Sequence, residues 1–301
     1  MPLYDEEALA KFRQSGKILR ETREEMRHYV REDMPIIQVC EKAESLIREK
    51  GGKPAFPCNV SINEVAAHYT SPPGDKGTIP PNSVVKVDIG VQVDGYVTDT
   101  AFTACFNPEY KTMTETAQIA LKAAIEVVQD NVQASRIGGV IENTIKNRGF
   151  KPIQNLTGHS VGRYQIHAGT SIPNVHQVSF TKLKTGEIYA IEPFVTTRDA
   201  TGAVEDASQK TIFRLFKTKA AKTHQAKQLL KFIEEEFRTL PFAERWLIGV
   251  LPREQHDKAF RELLATKAIM GYAVFVEMTK KTVSQAEHTV LVKEDGCTVL
   301  T

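Results

Sequence analysis

Two aspartates, Asp88 and Asp99, flank an Asp94-Gly95 pair in the segment VVKVDIGVQVDGYVTDTAF. Val85, Val87, Ile89, Val91 and Val93 alternate with other residues, which predicts a strand. Asp94-Gly95 suits a type I′ turn, and 96–106 predicts the returning strand. With a two-residue turn, Val93 faces Tyr96, Gly90 faces Asp99 and Asp88 faces Ala101. Asp88 and Asp99 are then diagonal neighbours on one sheet face, roughly 7–8 Å apart. Aspartate is depleted in strands, and two converging carboxylates repel each other. A hard divalent cation relieves that repulsion and takes oxygen ligands. The plainer alternative is two solvated aspartates on an exposed strand.

Other candidate ligands lie far along the chain. GHSVGRYQIHAG sets His159 and His167 among glycines, which let backbone approach a ligand closely. Glu192 in YAIEPF and Glu287 in SQAEHTVLV each interrupt an apolar predicted strand. A buried, unpaired carboxylate is costly and requires a cation or a hydrogen-bonded partner. As a set, Asp88, Asp99, His159, Glu192 and Glu287 could bridge a pair of divalent ions, which in hydrolases sit about 3.5–4 Å apart.

The elements that must carry these residues alternate between helical and strand texture. Helices are predicted over 5–31, 35–50 (ended by Gly51-Gly52), 114–131 and 135–148. Strands are predicted over 187–197, 271–279 and 283–293, while 54–82, rich in Pro, Gly, Asn and Ser, reads as mostly loop and 155–180, rich in Gly and His, shows little periodicity. Residues 211–270 are rich in Lys, Glu and Leu and read as a helical insert. The expected organisation is therefore an α+β catalytic domain over 1–210 and 271–301, interrupted by the insert at 211–270.

The 301 residues carry 39 Lys plus Arg against 37 Asp plus Glu, a net charge of +2 that sets no global bias toward nucleic acid or membrane. Cys40, Cys58, Cys105 and Cys297 form no CxxC unit and read as free thiols of a reducing compartment. The charged first residues lack the apolar core of a signal peptide, and no stretch has the length of a membrane span. These features predict a cytoplasmic protein.

The motifs VAAHYTS around His68, KVDIG around Asp88, YVTDTAF around Asp99, TGHSVGRYQIHAG around His159 and His167, AIEPF around Glu192 and QAEHTVL around Glu287 occur in one order. In this the chain resembles the type II methionine aminopeptidases over essentially all of residues 5–301. It lacks the long charged N-terminal extension of eukaryotic forms and so looks archaeal in type. The resemblance implies the pita-bread fold, in which two related αβ halves surround a central antiparallel sheet that carries the metals. The insert resembles the extra subdomain of type II enzymes.

By the same resemblance, the chain removes the initiator methionine from nascent polypeptides, preferring small second residues, with the ribosome a candidate partner. Asp88 would chelate one metal, Asp99 and Glu287 would bridge both, and His159 with Glu192 would complete the other. Glu192 would also shuttle the proton to the leaving amine. His68 and His167 would hydrogen-bond the scissile peptide and its tetrahedral intermediate, and Phe56, Ile166 and Tyr272 would wall the methionine pocket. An oxygen-rich set with one His suits Mn²⁺, Fe²⁺ or Co²⁺, and Zn²⁺ also fits. A prolidase-like X-Pro dipeptidase and a non-catalytic binding relative are the alternatives on the same fold. No specific nucleic acid or membrane is expected as partner. The chain's own start, Met1-Pro2, matches the expected substrate type.

Overall fold

The computed structural model describes residues 3–301. Met1 and Pro2, on which the expectation of a self-substrate falls, lie outside the described residues. Helix α1 (Glu6–Tyr29) begins at Asp5, whose carboxylate accepts from the Ala8 amide at 2.8 Å. Glu6 and Glu7 in its first turn and Arg27 and His28 in its last complement the helix dipole. Helix α2 (Ile36–Glu49) ends where Gly51 takes a φ of 86°, a conformation glycine adopts without steric cost.

The next segment, β1 (Lys53–Ile62), departs from the loop expected for 54–82. It pairs antiparallel with a later strand despite Pro54 and Pro57, because the register shifts between Pro54 and Phe56 and again between Phe56 and Asn59. Such irregularities accommodate residues that cannot donate to a ladder. After β2 (Val65–Ala67) comes the expected hairpin, β3 (Val84–Val93) and β4 (Tyr96–Cys105). Its register is Val93 to Tyr96, Gly90 to Asp99 and Asp88 to Ala101. Asp94 and Gly95 both have positive φ, 51° and 89°, as a type I′ turn requires.

Helices α3 (Lys111–Glu126) and α4 (Ala134–Asn147) lead into the short strands β5 (Lys151–Pro152), β6 (Thr157–Ser160) and β7 (Ser171–Pro173). The strand expected over 187–197 is two strands, β8 (Ile188–Ile191) and β9 (Phe194–Thr196), which join different sheets on either side of Glu192-Pro193. Then follow β10 (Val204–Asp206), β11 (Ile212–Leu215), α5 (His224–Phe237), β12 (Phe242–Ala243), α6 (Arg253–Ala265), β13 (Ile269–Tyr272), β14 (Phe275–Glu277), β15 (Val283–Gln285), β16 (Glu287–Lys293) and β17 (Gly296–Val299).

The main sheet runs β1-β3-β4-β16-β8-β6-β7, with β17 beside β16, and its pairings are antiparallel. One half packs α1 and α2 on Val87, Ile89, Val91 and Phe102, and the other packs α3 and α4 on Tyr189, Ile191 and Val290. Side chains alternate along a strand, so Asp88, Gly90, Asp99 and Ala101 face away from α1 and α2. Burial of Val87, Ile89 and Val91 against those helices therefore commits both aspartates to the other face.

Between 211 and 270 the helices are not alone: α5 and α6 share a core with the three-stranded sheet β12-β11-β13. This unit is tied to α2 through Glu44, which accepts from Trp246 Nε1 at 2.7 Å, from the Cys58 amide at 3.1 Å and from Arg245. Arg245 also donates to Thr70 Oγ1 at 3.0 Å. All four cysteines are free thiols. Among the described residues, no helix is long and apolar enough to cross a membrane.

Candidate metal centre

Three adjacent strands place the first carboxylates. Ala101 of β4 lies opposite Asp88 of β3 on one side and Glu287 of β16 on the other. Cross-strand partners share a face, so Asp88 and Glu287 flank a single methyl group, and Asp99 sits two residues along from that alanine. β4 and β16 are directly paired only at Ala101 and Thr100. Thr289 extends the join: its hydroxyl accepts from the Asp99 amide and donates to the Asp99 carbonyl, both at 2.8 Å.

His159 reaches the same point from β6, where its partner is Ala190 of β8. Its Nε2 lies 3.7 Å from Asp99 Oδ2 and 3.6 Å from Glu192 Oε1. Ligand atoms of Asp99, His159 and Glu287 all fall within 4.8 Å of one another. Gln285 Nε2 donates at 3.4 Å to both Glu192 and Glu287.

These four carboxylates are starved of positive charge. Among the described residues no Lys or Arg pairs with any of them, and Lys86, on the same strand face as Asp88, donates to the Asn63 carbonyl instead. Burial raises the Asp88 pKa to about 7, and burial followed by mutual repulsion raises Asp99 and Glu287 well above the usual carboxylate range. Burial, then the charge of Asp88, does the same to Glu192. Burial also lowers His159 to about 3, so it is a neutral imidazole with a lone pair to offer.

Asp88 Oδ1, Asp99 Oδ1 and Glu287 Oε1 are buried without any hydrogen-bond partner. Unpartnered buried oxygens are costly, and here they converge. The donor set, rich in carboxylate oxygen with one imidazole, therefore fits divalent cations. A second group, Glu244, His256 and Asp257, is different: Glu244 contacts His256 Nε2 at 3.3 Å and Asp257 pairs with Arg253 at 3.2 Å.

The carboxylates form the floor of a cleft of about 380 Å³. Every residue singled out from the sequence lines it: Phe56, His68, Asp88, Asp99, His159, Ile166, His167, Glu192, Tyr272 and Glu287. Phe56 occupies space above Gly90, where an added Cβ would lie 2.2 Å from its ring. Glycine at 90 therefore lets an aromatic wall sit beside Asp99. His68 has a φ of 66°, unusual for a non-glycine residue, and its Nδ1 donates to the Ala273 carbonyl at 3.3 Å. That contact leaves Nε2 as an acceptor, because burial lowers the His68 pKa to about 4 and keeps the ring neutral. The exposed His167 ring lies 4.3 Å from that of His159 at the cleft mouth.

Sequence reasoning missed Asn59, Phe194, Ile212, Pro241 and Phe275 in the lining, and Gln285 beneath it. Phe194 and Gln285 each lie two positions from a candidate ligand, and period-two spacing around Glu192 and Glu287 could have found them. Ile212 and Pro241 carry no such signal, since they come from the insert.

Residues 10–294 match metallopeptidase family M24. A methionine aminopeptidase from Methanothermobacter thermautotrophicus is 43% identical over 290 residues, covering 95% of this chain and 96% of its own. Among solved structures, a thermophilic Arx1 superposes with a TM-score of 0.81 at 18% identity, over 98% of this chain and 91% of that one. A methionine aminopeptidase from Thermotoga maritima superposes at 0.72 with 19% identity, over 100% and 99%. These likenesses establish the pita-bread fold.

Proposed function

From the premise that the chain belongs to metallopeptidase family M24, we infer that it is a metal-dependent methionine aminopeptidase, hydrolysing the first peptide bond of polypeptides that begin with methionine. The observation that carries this chemically is the convergence of Asp88, Asp99, His159, Glu192 and Glu287, with buried oxygens lacking partners, at the base of one cleft. The two alternatives are not favoured: the 43% identical relative is a methionine aminopeptidase, not a prolidase or a binding protein.

We propose that those five residues would hold two divalent ions, Fe²⁺, Mn²⁺ or Co²⁺ with Zn²⁺ also suitable, and that Asp99 and Glu287 would serve both. When bound, such a pair supplies the Lewis acidity that makes water a nucleophile near neutral pH. Glu192 would take up the proton that the attacking water gives up and pass it to the leaving amine. His68 Nε2 accepts from the scissile amide, and His167 steadies the developing oxyanion. Phe56, Ile166 and Tyr272, with Phe194 and Phe275, give the methionine side chain an apolar wall and exclude water around it. The substrates it meets are nascent chains in the cytoplasm, with the ribosome as a candidate partner.

Methionine release from Met-Ala-Ser, after chelation and refeeding with single metals, tests the reading. Release should vanish on chelation and return with Mn²⁺, Fe²⁺ or Co²⁺. Equal release from Met-Lys-Ser would sink the preference for small second residues, and cleavage confined to X-Pro dipeptides would sink the activity.

A further inference from the structure

On this side the cleft lining stops at Tyr272 and Ile212, but the strands that carry them run on. These residues are cross-strand partners of β13 and β11, and the next partners outward on the same face are Met270 and Arg214. The ladder continues as the Phe216 amide donates to the Ala268 carbonyl at 2.8 Å, which keeps Phe216 on that face. The opposite face carries Phe213, Leu215 and Ile269 into the insert core, so the assignment of faces is fixed by burial. The result is a strip that starts inside the cleft and runs out to solvent through Arg214, Met270 and Phe216.

The outer strip has an unusual composition. Met270 and Phe216 are 37% and 46% exposed, large apolar side chains on a surface edge. Arg214 and Lys217 lie over the Phe216 ring, 5.4 and 5.7 Å from its centroid. Among the described residues, neither cation has an acidic partner within ion-pair distance. From Ile212 to Phe216 is four residues, roughly 13 Å at about 3.3 Å per strand residue. An extended peptide whose first residue lies beside Ile212 reaches Phe216 with about its fifth.

We propose that this strip is an extended subsite for the substrate chain, with Arg214, Phe216 and Lys217 favouring acidic side chains at about the fourth to sixth positions. The proposal rests on the aminopeptidase reading and deepens it: the enzyme reads its substrate beyond the bond it cuts. Continuity with the pocket specifies a peptide as the occupant, and the unpaired cations specify its charge. Met270 and the Phe216 ring give the peptide's aliphatic stems an apolar bed, while the cations meet the carboxylates.

The test compares three substrates on the metal-loaded full chain: Met-Ala-Ser, an octapeptide beginning Met-Ala-Ser with glutamates at positions four to six, and its lysine counterpart. We expect kcat/KM for the acidic octapeptide to exceed that for the lysine one by about fivefold, from two partly exposed charge pairs. The double variant Arg214→Glu with Lys217→Glu should invert that order, and Phe216→Ala should lower both octapeptides. Cleavage of Met-Ala-Ser should stay within about twofold in every variant, which also reports correct folding. Equal kcat/KM for the two octapeptides in the parent enzyme, or tripeptide losses as large as octapeptide losses, would overturn the extended subsite alone. Failure of the parent enzyme to release methionine from Met-Ala-Ser would overturn the activity and the subsite together.

Discussion

Two buried acidic sites, one at the junction between α2 and the insert and one in the cleft where the two halves meet, are built in opposite ways. At the junction between α2 and the insert, Glu44 receives Arg245, the Trp246 indole and the Cys58 amide, so its charge is matched by donors from the protein itself. In the cleft, four carboxylates and an imidazole meet with no lysine or arginine among them. Glu44 shows what a structural buried carboxylate requires: burial pushes its pKa up, and Arg245 pulls it back. Asp99 has only the Thr100 backbone amide pulling back, and among the described residues no cation offsets Glu287. The difference separates a carboxylate used for folding from carboxylates arranged for something that comes from outside.

The comparison breaks most sharply if both sites are emptied. Asp99→Ala or Glu287→Ala should reduce methionine release on the order of 10³-fold or more, because each removes a donor proposed to serve both ions. Yet chelated protein carrying either variant should melt no lower than the chelated parent, since a repelling charge has gone. Arg245→Ala should do the reverse. It strands Glu44 in a dry interior, a change that typically costs about 3–5 kcal/mol, readable by urea unfolding. A cleft variant that destabilises the chelated protein by as much as Arg245→Ala does would erase the distinction.

His68→Ala comes next in size. His68 lines the cleft but binds the Ala273 carbonyl, and its Nδ1 is committed. Its loss should lower kcat about 10²-fold while leaving the metal content measured by elemental analysis unchanged. Loss of bound metal in this variant would move His68 into the ligand set.

The cleft should also betray itself through pH. Asp88 has an ordinary pKa of 3.8 and is raised to about 7 by burial. Below about pH 4 the folded and unfolded chains both carry that proton, and nothing is lost. As pH climbs toward 7 the unfolded chain releases its proton while the folded chain keeps it, so folding becomes progressively less favourable. Asp99, Glu192 and Glu287 shift in the same direction. His68 and His159, held neutral by burial with pKa values of about 4 and about 3, work in the opposite direction over the same window. The carboxylate contribution is therefore read by comparison: saturating Mn²⁺, which requires the carboxylates ionised, should make thermal stability rise more steeply from pH 4 to 7 than it does in chelated protein. A slope unaffected by metal would place its origin outside the cleft.

Much of this was legible in the sequence because the hairpin is local. Asp88, Asp99, Asp94 and Gly95 lie within one short segment, and turn geometry alone fixes which residues face each other. Strand β1 was not legible, because its prolines argue against a ladder and only the register shifts around Phe56 accommodate them. The break at Glu192 was hidden by its apolar surroundings. Pro193 ends one sheet there and Phe194 begins another, a partition set by tertiary pairing rather than local pattern. Ile212 and Pro241 reach the cleft only because the insert folds back over it, which no short-range periodicity encodes.

Gln285 gives the smallest expected effect and the finest discrimination between the two acidic sites. Its amide touches Glu192 and Glu287 at 3.4 Å, long for a hydrogen bond, so it orients these carboxylates without neutralising them. Partners of metal ligands typically contribute 10–100-fold in affinity. With contacts this long, Gln285→Leu should fall near the lower end, about tenfold weaker metal binding by calorimetry. Turnover at saturating metal should change little. Trp246→Phe removes the corresponding neutral donor to Glu44 and should leave metal affinity unchanged while lowering stability by about 1–3 kcal/mol. If Gln285→Leu behaved like Trp246→Phe, costing stability but no metal affinity, the amide would belong to the scaffold rather than to the metal centre.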